Sequence, residues 1–262
     1  MARYAAFLPL LLSASLLGAC VTSTQGGFNV RSSQERALQD YIELAAGYYA
    51  ADDLVSAKRH VDNALAIDRR SAEAHNVRAL IHQREGEHEL ARDTFEYAIR
   101  QDPSNSRVRN NFAAFLYERE EYQAAYEQLQ VVADDTEYRS RPQAFQNLGL
   151  AAVAAGHREE AREAFRRALD LDRTLQRSSL RLAELHFEDG NFGQAREYYE
   201  QFRVSSQFND VSQSARSLWL GIRLEWRFDN RAAARDYARQ LEEMYPDTEQ
   251  YRMYLQQRDE RR

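Results

Sequence analysis

Small side chains recur along this chain at a nearly fixed interval. Ala45, Ala79, Ala113, Gly149, Ala183 and Gly221 are separated by 34, 34, 36, 34 and 38 residues. Ala57, Ala91, Ala125, Ala161, Ala195 and Ala233 form a second column with the same five steps. In the stretch 142–175, Phe145, Leu148, Gly149 and Ala152 share one helical face. After a turn at Gly156, Ala161, Phe165, Ala168 and Leu169 share another. Large apolar residues follow each second-column alanine at Val61, Phe95, Leu129, Phe165, Tyr199 and Tyr237. Two columns on different helices slip together, so the extra residues belong between repeats, near Arg139 to Arg141 and within Ser205 to Gln213, as loops. A lone pair of amphipathic helices cannot bury its apolar face, so such units must stack. Beyond Pro9, the prolines are Pro103, Pro142 and Pro246, all at expected helix junctions, which suits helices throughout.

A 34-residue helix–turn–helix unit with small and large residues in this order resembles the tetratricopeptide repeat. The resemblance implies an all-α fold, a right-handed α-solenoid of six repeats at about 38–71, 72–105, 106–139, 142–175, 176–209 and 214–247. A capping helix over 248–262, apolar at Tyr251, Tyr254 and Leu255, would cover the last repeat. Residues 35–262 then form one solenoid with no linker inside it. Its concave surface is lined by the first helix of each repeat. Register places Ile42, Ala46 and Tyr49 there, then Asn76, Leu80 and Gln83, then Asn110, Ala114 and Tyr117. Later repeats add Gln146, Leu150 and Val153, then Leu180, Glu184 and Phe187, then Leu218 and Ile222. Any one of these can instead face the neighbouring repeat. The surface mixes apolar and amide groups with few charges, which suits an amphipathic helix or extended peptide better than an acidic tail.

Composition narrows the partners. The chain carries 35 basic and 41 acidic residues, net charge −6, and Lys58 is its only lysine. The arginines are dispersed among carboxylates with no basic block, which argues against nucleic acid. His75 and His82 lie seven apart on one helix face, but in columns held elsewhere by Tyr41, Tyr48, Phe145 and Ala152, so interhelix packing is expected rather than a metal site. Nucleophile-elbow, zinc-protease, P-loop and dinucleotide-binding patterns do not occur. Pairs such as Glu120-Glu121 and Glu159-Glu160 read as turn and helix-start residues. No catalytic residue, cofactor, metal ligand or small-molecule substrate is expected.

The first nineteen residues differ from the rest. Arg3 precedes an apolar run too short for a permanent span, which ends in Leu17-Gly18-Ala19-Cys20. That ending resembles the lipobox of bacterial lipoprotein precursors and implies cleavage before Cys20 and acylation of the only cysteine. Several acyl chains make a stable anchor. Val21 stands where inner-membrane-retained lipoproteins commonly carry aspartate, so the resemblance implies the outer membrane, periplasmic side. Residues 1–19 are then a signal peptide and 20–34 a lipidated N-terminus and polar tether.

Several strings carry a narrower resemblance: RVRNNFAAFLYEREEYQAAYEQL (107–129), FQNLGLAA (145–152) and ARSLWLGIRLEWRF (215–228). With the lipobox, the repeat count and Tyr245-Pro246, they resemble the PilF/PilW family of type IV pilus biogenesis lipoproteins. The family implies a pilotin, which binds the type IV pilus secretin subunit and promotes its outer-membrane localisation, multimerisation or stability. It supplies no catalytic residue. Contact is expected in the first repeats, near Ile42, Ala46 and Tyr49, close to the anchor. A competing reading is an outer-membrane adaptor that scaffolds cell-wall hydrolases or a protease. A hidden hydrolase would require convergent ionisable groups, and the sequence offers none.

Overall fold

The computed structural model describes residues 27–209 and 211–260, with side chains from Ser33 onward. Among them thirteen α-helices occur and no strand. In order they are α1 Gly27–Ala50, α2 Leu54–Ile67, α3 Ala72–Arg84, α4 His88–Gln101, α5 Ser106–Glu118, α6 Tyr122–Asp134 and α7 Arg141–Ala155. They continue with α8 Arg158–Leu171, α9 Gln176–Glu188, α10 Phe192–Phe208, α11 Ala215–Arg227, α12 Arg231–Met244 and α13 Glu249–Glu260. Each helix packs on its neighbours in sequence. The first helices of successive repeats, α1, α3, α5, α7, α9 and α11, also meet one another. That pattern is a solenoid, with α13 laid against α11 and α12 at its end.

Local chemistry sets the turns. Within the first five repeats the chain reverses at Asp52, Gly86, Glu120, Gly156 and Gly190, all at positive φ between 62° and 86°. Glycine adopts that conformation without Cβ strain, and Asp52 and Glu120 hold it under the surrounding helix pair. Between repeats, Asp68, Asp102 and Asp172 accept a backbone N–H two residues on, from Arg70, Ser104 and Thr174. Ser71 and Asn105 then cap α3 and α5 by accepting from Ala74 and Val108.

The small columns are buried as far as Gly221 in the first and Ala195 in the second, and their size is set by what faces them. A Cβ on Gly149 would lie 2.6 Å from the Phe165 ring, and one on Gly221 would lie 2.3 Å from the Tyr199 hydroxyl. Phe95, Phe165 and Tyr199, from the large column, are at most 1% exposed.

Three expectations need correction. Helix α1 begins at Gly27, so the stretch assigned to a polar tether, 20–34, is helical from that point. Extending a helix already anchored by packing needs no new nucleus, and no proline interrupts residues 27–34. The second insertion is not all loop: α10 runs 17 residues to Phe208, against 13 or 14 in the other second helices, so the extra chain first lengthens a helix. Finally, the sixth repeat holds one more residue inside its turn. Its positive-φ residue is Asp229, eight after Gly221, where Gly156 is seven after Gly149. Helix α12 therefore buries Ala234, Ala238 and Leu241, and the core alanine falls 39 residues after Ala195, at Ala234 rather than Ala233. Tyr237 is left half-buried, edge-on to Tyr199 at 6.0 Å. The signal peptide, the lipobox and Cys20 lie outside the described residues.

Candidate functional site

The inner face of the first three repeats forms a cleft of about 160 Å³ between α1, α3 and α5. Ile42, Ala46, Tyr49, Asn76 and Leu80, all expected at the groove from register, line it together with Val77. Ile42 is 5% exposed and belongs to the first repeat's core, so it forms the floor, whereas Ala46 faces solvent. Tyr49 is half-buried and fixed by Arg84, whose guanidinium carbon lies 4.6 Å from the ring centre while pairing with Asp52 at 2.6 Å. The cleft's charged lining residues are Glu43 and the pair Arg107 and Glu73, which stand 3.7 Å apart.

The amides tie repeat to repeat. Asn111 Nδ2 donates to Asn76 Oδ1 at 3.0 Å, Asn147 Nδ2 to Asn110 Oδ1 at 3.2 Å, and Ser178 Oγ to Gln146 Oε1 at 3.3 Å. Asn76 is 3% exposed. Asn110 thus lies outside the cleft and joins the third and fourth repeats. Tyr117 is exposed on the same helix and rests edge-on against Tyr122 at 5.1 Å, away from the cleft.

Beyond the fourth repeat the inner face changes character. Glu184, 6% exposed, accepts from both Arg216 nitrogens and from Arg181. Arg223 lies between the rings of Phe187 and Trp219, 4.5 and 5.4 Å from their centres. Burial holds its pKa below the usual guanidinium range. The sequence reading of a groove with few charges therefore fits the first half only. Arginines evenly scattered in sequence give no sign of which of them a solenoid will gather.

His75 packs between α3 and α4. His75 stands edge-on to Tyr97 at 4.6 Å with Nε2 3.0 Å from the Arg69 carbonyl, and desolvation lowers its pKa. His82, Glu85 and Glu87 are close enough to share an ion, but Glu85 already binds the Lys58 ammonium at 2.6 Å and Glu87 binds His82 at 2.8 Å. A wider groove of about 940 Å³ lies between the second helices α8 and α10 and holds no residue expected to contact a partner. Much of its wall is charge already paired, such as Arg166 with Glu163 at 2.5 Å. Size alone does not make it the better site.

Stacked helix pairs around an apolar and amide inner cleft define a tetratricopeptide-repeat scaffold of the protein-binding kind. The tetratricopeptide repeat model matches residues 42–106, 83–142 and 147–210. Across 249 residues the chain is 34% identical to the type IV pilus assembly protein PilF of Pseudomonas aeruginosa, covering 95% of this chain and 97% of that one. The solved structure of Pseudomonas aeruginosa PilF superposes with a TM-score of 0.80 at 35% identity, over 86% of this chain and 99% of that one. PilW, a widely conserved type IV pilus biogenesis factor, shares the fold at a TM-score of 0.69 and 23% identity, over 83% and 98% of the two chains. The chain belongs to the PilF/PilW family of tetratricopeptide-repeat proteins of type IV pilus biogenesis.

Proposed function

We propose that this protein is an outer-membrane pilotin: lipidated at Cys20, it holds a segment of the type IV pilus secretin subunit and promotes the secretin's localisation, multimerisation or stability. One observation carries the reading of where binding occurs. The cleft of the first three repeats gathers Ile42, Ala46, Tyr49, Asn76 and Leu80 beside the N-terminal end of the solenoid, where a lipid on Cys20 would be nearest. Its apolar floor and amide walls offer what an amphipathic helix or extended segment needs, buried apolar contact with a few fixed polar groups.

The test is a blot for SDS-resistant secretin multimers in separated membranes of a deletion strain. Complementation would use the wild-type gene, Ala46→Arg or Cys20→Ala. Ala46 is the better probe than Ile42, because a charge at the solvent-facing position blocks the cleft without entering the core. Wild type should restore the outer-membrane multimer, Ala46→Arg should fail while remaining folded, and Cys20→Ala should leave the secretin mislocalised. A normal multimer in the deletion strain would refute the pilotin role. Full rescue by Ala46→Arg would refute the cleft.

A further inference from the structure

Eight arginines stack on aromatic rings among the described residues, and six of them also reach a carboxylate or a backbone carbonyl. Arg223 and Arg227, four residues apart on α11, are the two that do not. Arg223 is held between Phe187 and Trp219, and Arg227 lies 4.5 Å from the centre of Phe192. Phe187 and Phe192 pack edge-on at 5.2 Å, so both guanidinium groups rest on one rigid aromatic wall of the fifth repeat. Residues four apart on a helix project side by side.

Of the nearby acids, the buried Glu225 stands 3.8 Å from Arg196 and two others are already occupied. Glu184 is held by Arg181 and Arg216, and Glu188 by Arg158 at 2.8 Å. The Nε of Arg223 is buried without an acceptor, and the residue as a whole is only partly buried. A guanidinium stacked on rings has lost conformational freedom in advance and keeps its forked edge for a carboxylate.

From this geometry we propose that Arg223 and Arg227 receive two carboxylates from an acidic segment of the protein partner, at the end of the inner face opposite the apolar cleft. The inference rests on the inner face being a protein-binding surface, and not on the partner being the secretin. Aspartate or glutamate side chains at neighbouring positions of the bound segment, or a chain-terminal carboxylate beside one acidic side chain, meet the requirement.

The probe is a pair of fluorescein-labelled peptides, one with two glutamates four residues apart and one with glutamines in their place, titrated against the detergent-solubilised full chain. Trp219 and Trp226, the only tryptophans, both lie on α11 and give a second signal. The glutamate peptide should bind at least about tenfold more tightly at low salt, since hydrogen bonds between a guanidinium and a carboxylate are charge-assisted and stronger than those to an amide. Arg227→Glu, at an exposed position, should abolish the difference with an unchanged melting temperature, and Ala46→Arg should leave it intact. Equal affinity for the two peptides, or an unaffected Arg227→Glu, would overturn the proposal. So would arginine-dependent quenching by inorganic phosphate with no response to the glutamate peptide, which would assign the pair to a phosphate group instead. Loss of secretin assembly in Ala46→Arg beside normal assembly and peptide binding in Arg227→Glu would remove this inference and keep the pilotin cleft. The reverse pattern would keep the arginine pair and remove the cleft.

Discussion

Gly221→Ala probes the tightest approach to a glycine among the described residues. The new methyl would lie 2.3 Å from the Tyr199 hydroxyl, 2.9 Å from its ring carbon and 3.1 Å from Tyr237. Tyr199 has nowhere to retreat: it is 1% exposed, its hydroxyl donates to the Ser217 carbonyl at 3.0 Å, and it stands 2.9 Å from the Gln213 side chain. Alanine in a helix interior gains about 1 kcal/mol over glycine. Against that, overpacking costs about 1–3 kcal/mol, and stranding a buried hydroxyl costs about 1–3 kcal/mol more. The net is a loss of roughly 1–5 kcal/mol, or about 2–20 °C in melting temperature for a chain this size. Thermal melts by circular dichroism would measure it, and the tryptophan signal would show the loss beginning in the last two repeats, because solenoid repeats depend mainly on their neighbours. Gly47→Ala is the control. Nothing lies within 4 Å of its would-be Cβ, so it should stabilise α1 by up to about 1 kcal/mol. Adding Tyr199→Phe to Gly221→Ala should cost less than Tyr199→Phe alone, since the colliding oxygen is gone. A Gly221→Ala protein at least as stable as wild type would refute the reasoning.

Two further outcomes follow from the ionisable groups. His186 is 9% exposed, stacked on Tyr198 at 5.4 Å, and its Nδ1 has no partner. Burial, then the charge of Arg162, hold its pKa below 6.5, while Asp189 opposes them and Arg166 adds to them. Folding thus favours the neutral ring: its contribution is present above pH 6.5 and lost as pH falls through the lower folded value. Denaturant melts at pH 7 and pH 5 should show a smaller acid loss in His186→Phe than in wild type. Asp189 joins Arg158 at 2.9 Å and also Arg162, across the fourth and fifth repeats. Asp189→Ala should lower stability by about 1 kcal/mol at low salt and by less in 1 M NaCl, as expected for a half-exposed network.

What could be read in the sequence was what repetition records. The columns from Ala45 to Ala183 placed the helix pairs and five of the cleft residues, because the same packing is solved five times with the same spacing. Gly221 continued the first column, yet the second slipped by one at Ala233. An extra residue inside a turn leaves no gap in a charged and alanine-rich run such as Arg231 to Arg235, where Ala232, Ala233 and Ala234 are equally small. Burial chose Ala234, and only packing against α10 and α11 could make that choice. The insertion within Ser205 to Gln213 was visible as a length, but its partial absorption into α10 depends on Tyr199 and on Tyr245, whose hydroxyl donates to the Gln213 carbonyl at 2.7 Å. Arg223 was illegible for a related reason. Its role depends on Phe187 and Trp219 meeting across two repeats, a coincidence that one sequence does not mark.

The two ends of the inner face are built by helices that do not touch: α1, α3 and α5 at one end, α9 and α11 at the other. In a structure coupled mainly between neighbours, changes at Ala46 and Arg227 should not disturb each other through the fold. Their effects on binding therefore report on the partner. If one continuous segment lies along the whole face, Ala46→Arg and Arg227→Gln should each weaken its binding. The double variant should then show the product of the two losses, because contacts without shared neighbours add in free energy. Each half alone would retain weak binding, and the whole would exceed either through the high effective concentration of the second contact. If the double variant is no weaker than the worse single variant, the ends serve different segments, and a partner spanning the groove is refuted. Isothermal titration of the four proteins against one secretin subunit preparation decides between them.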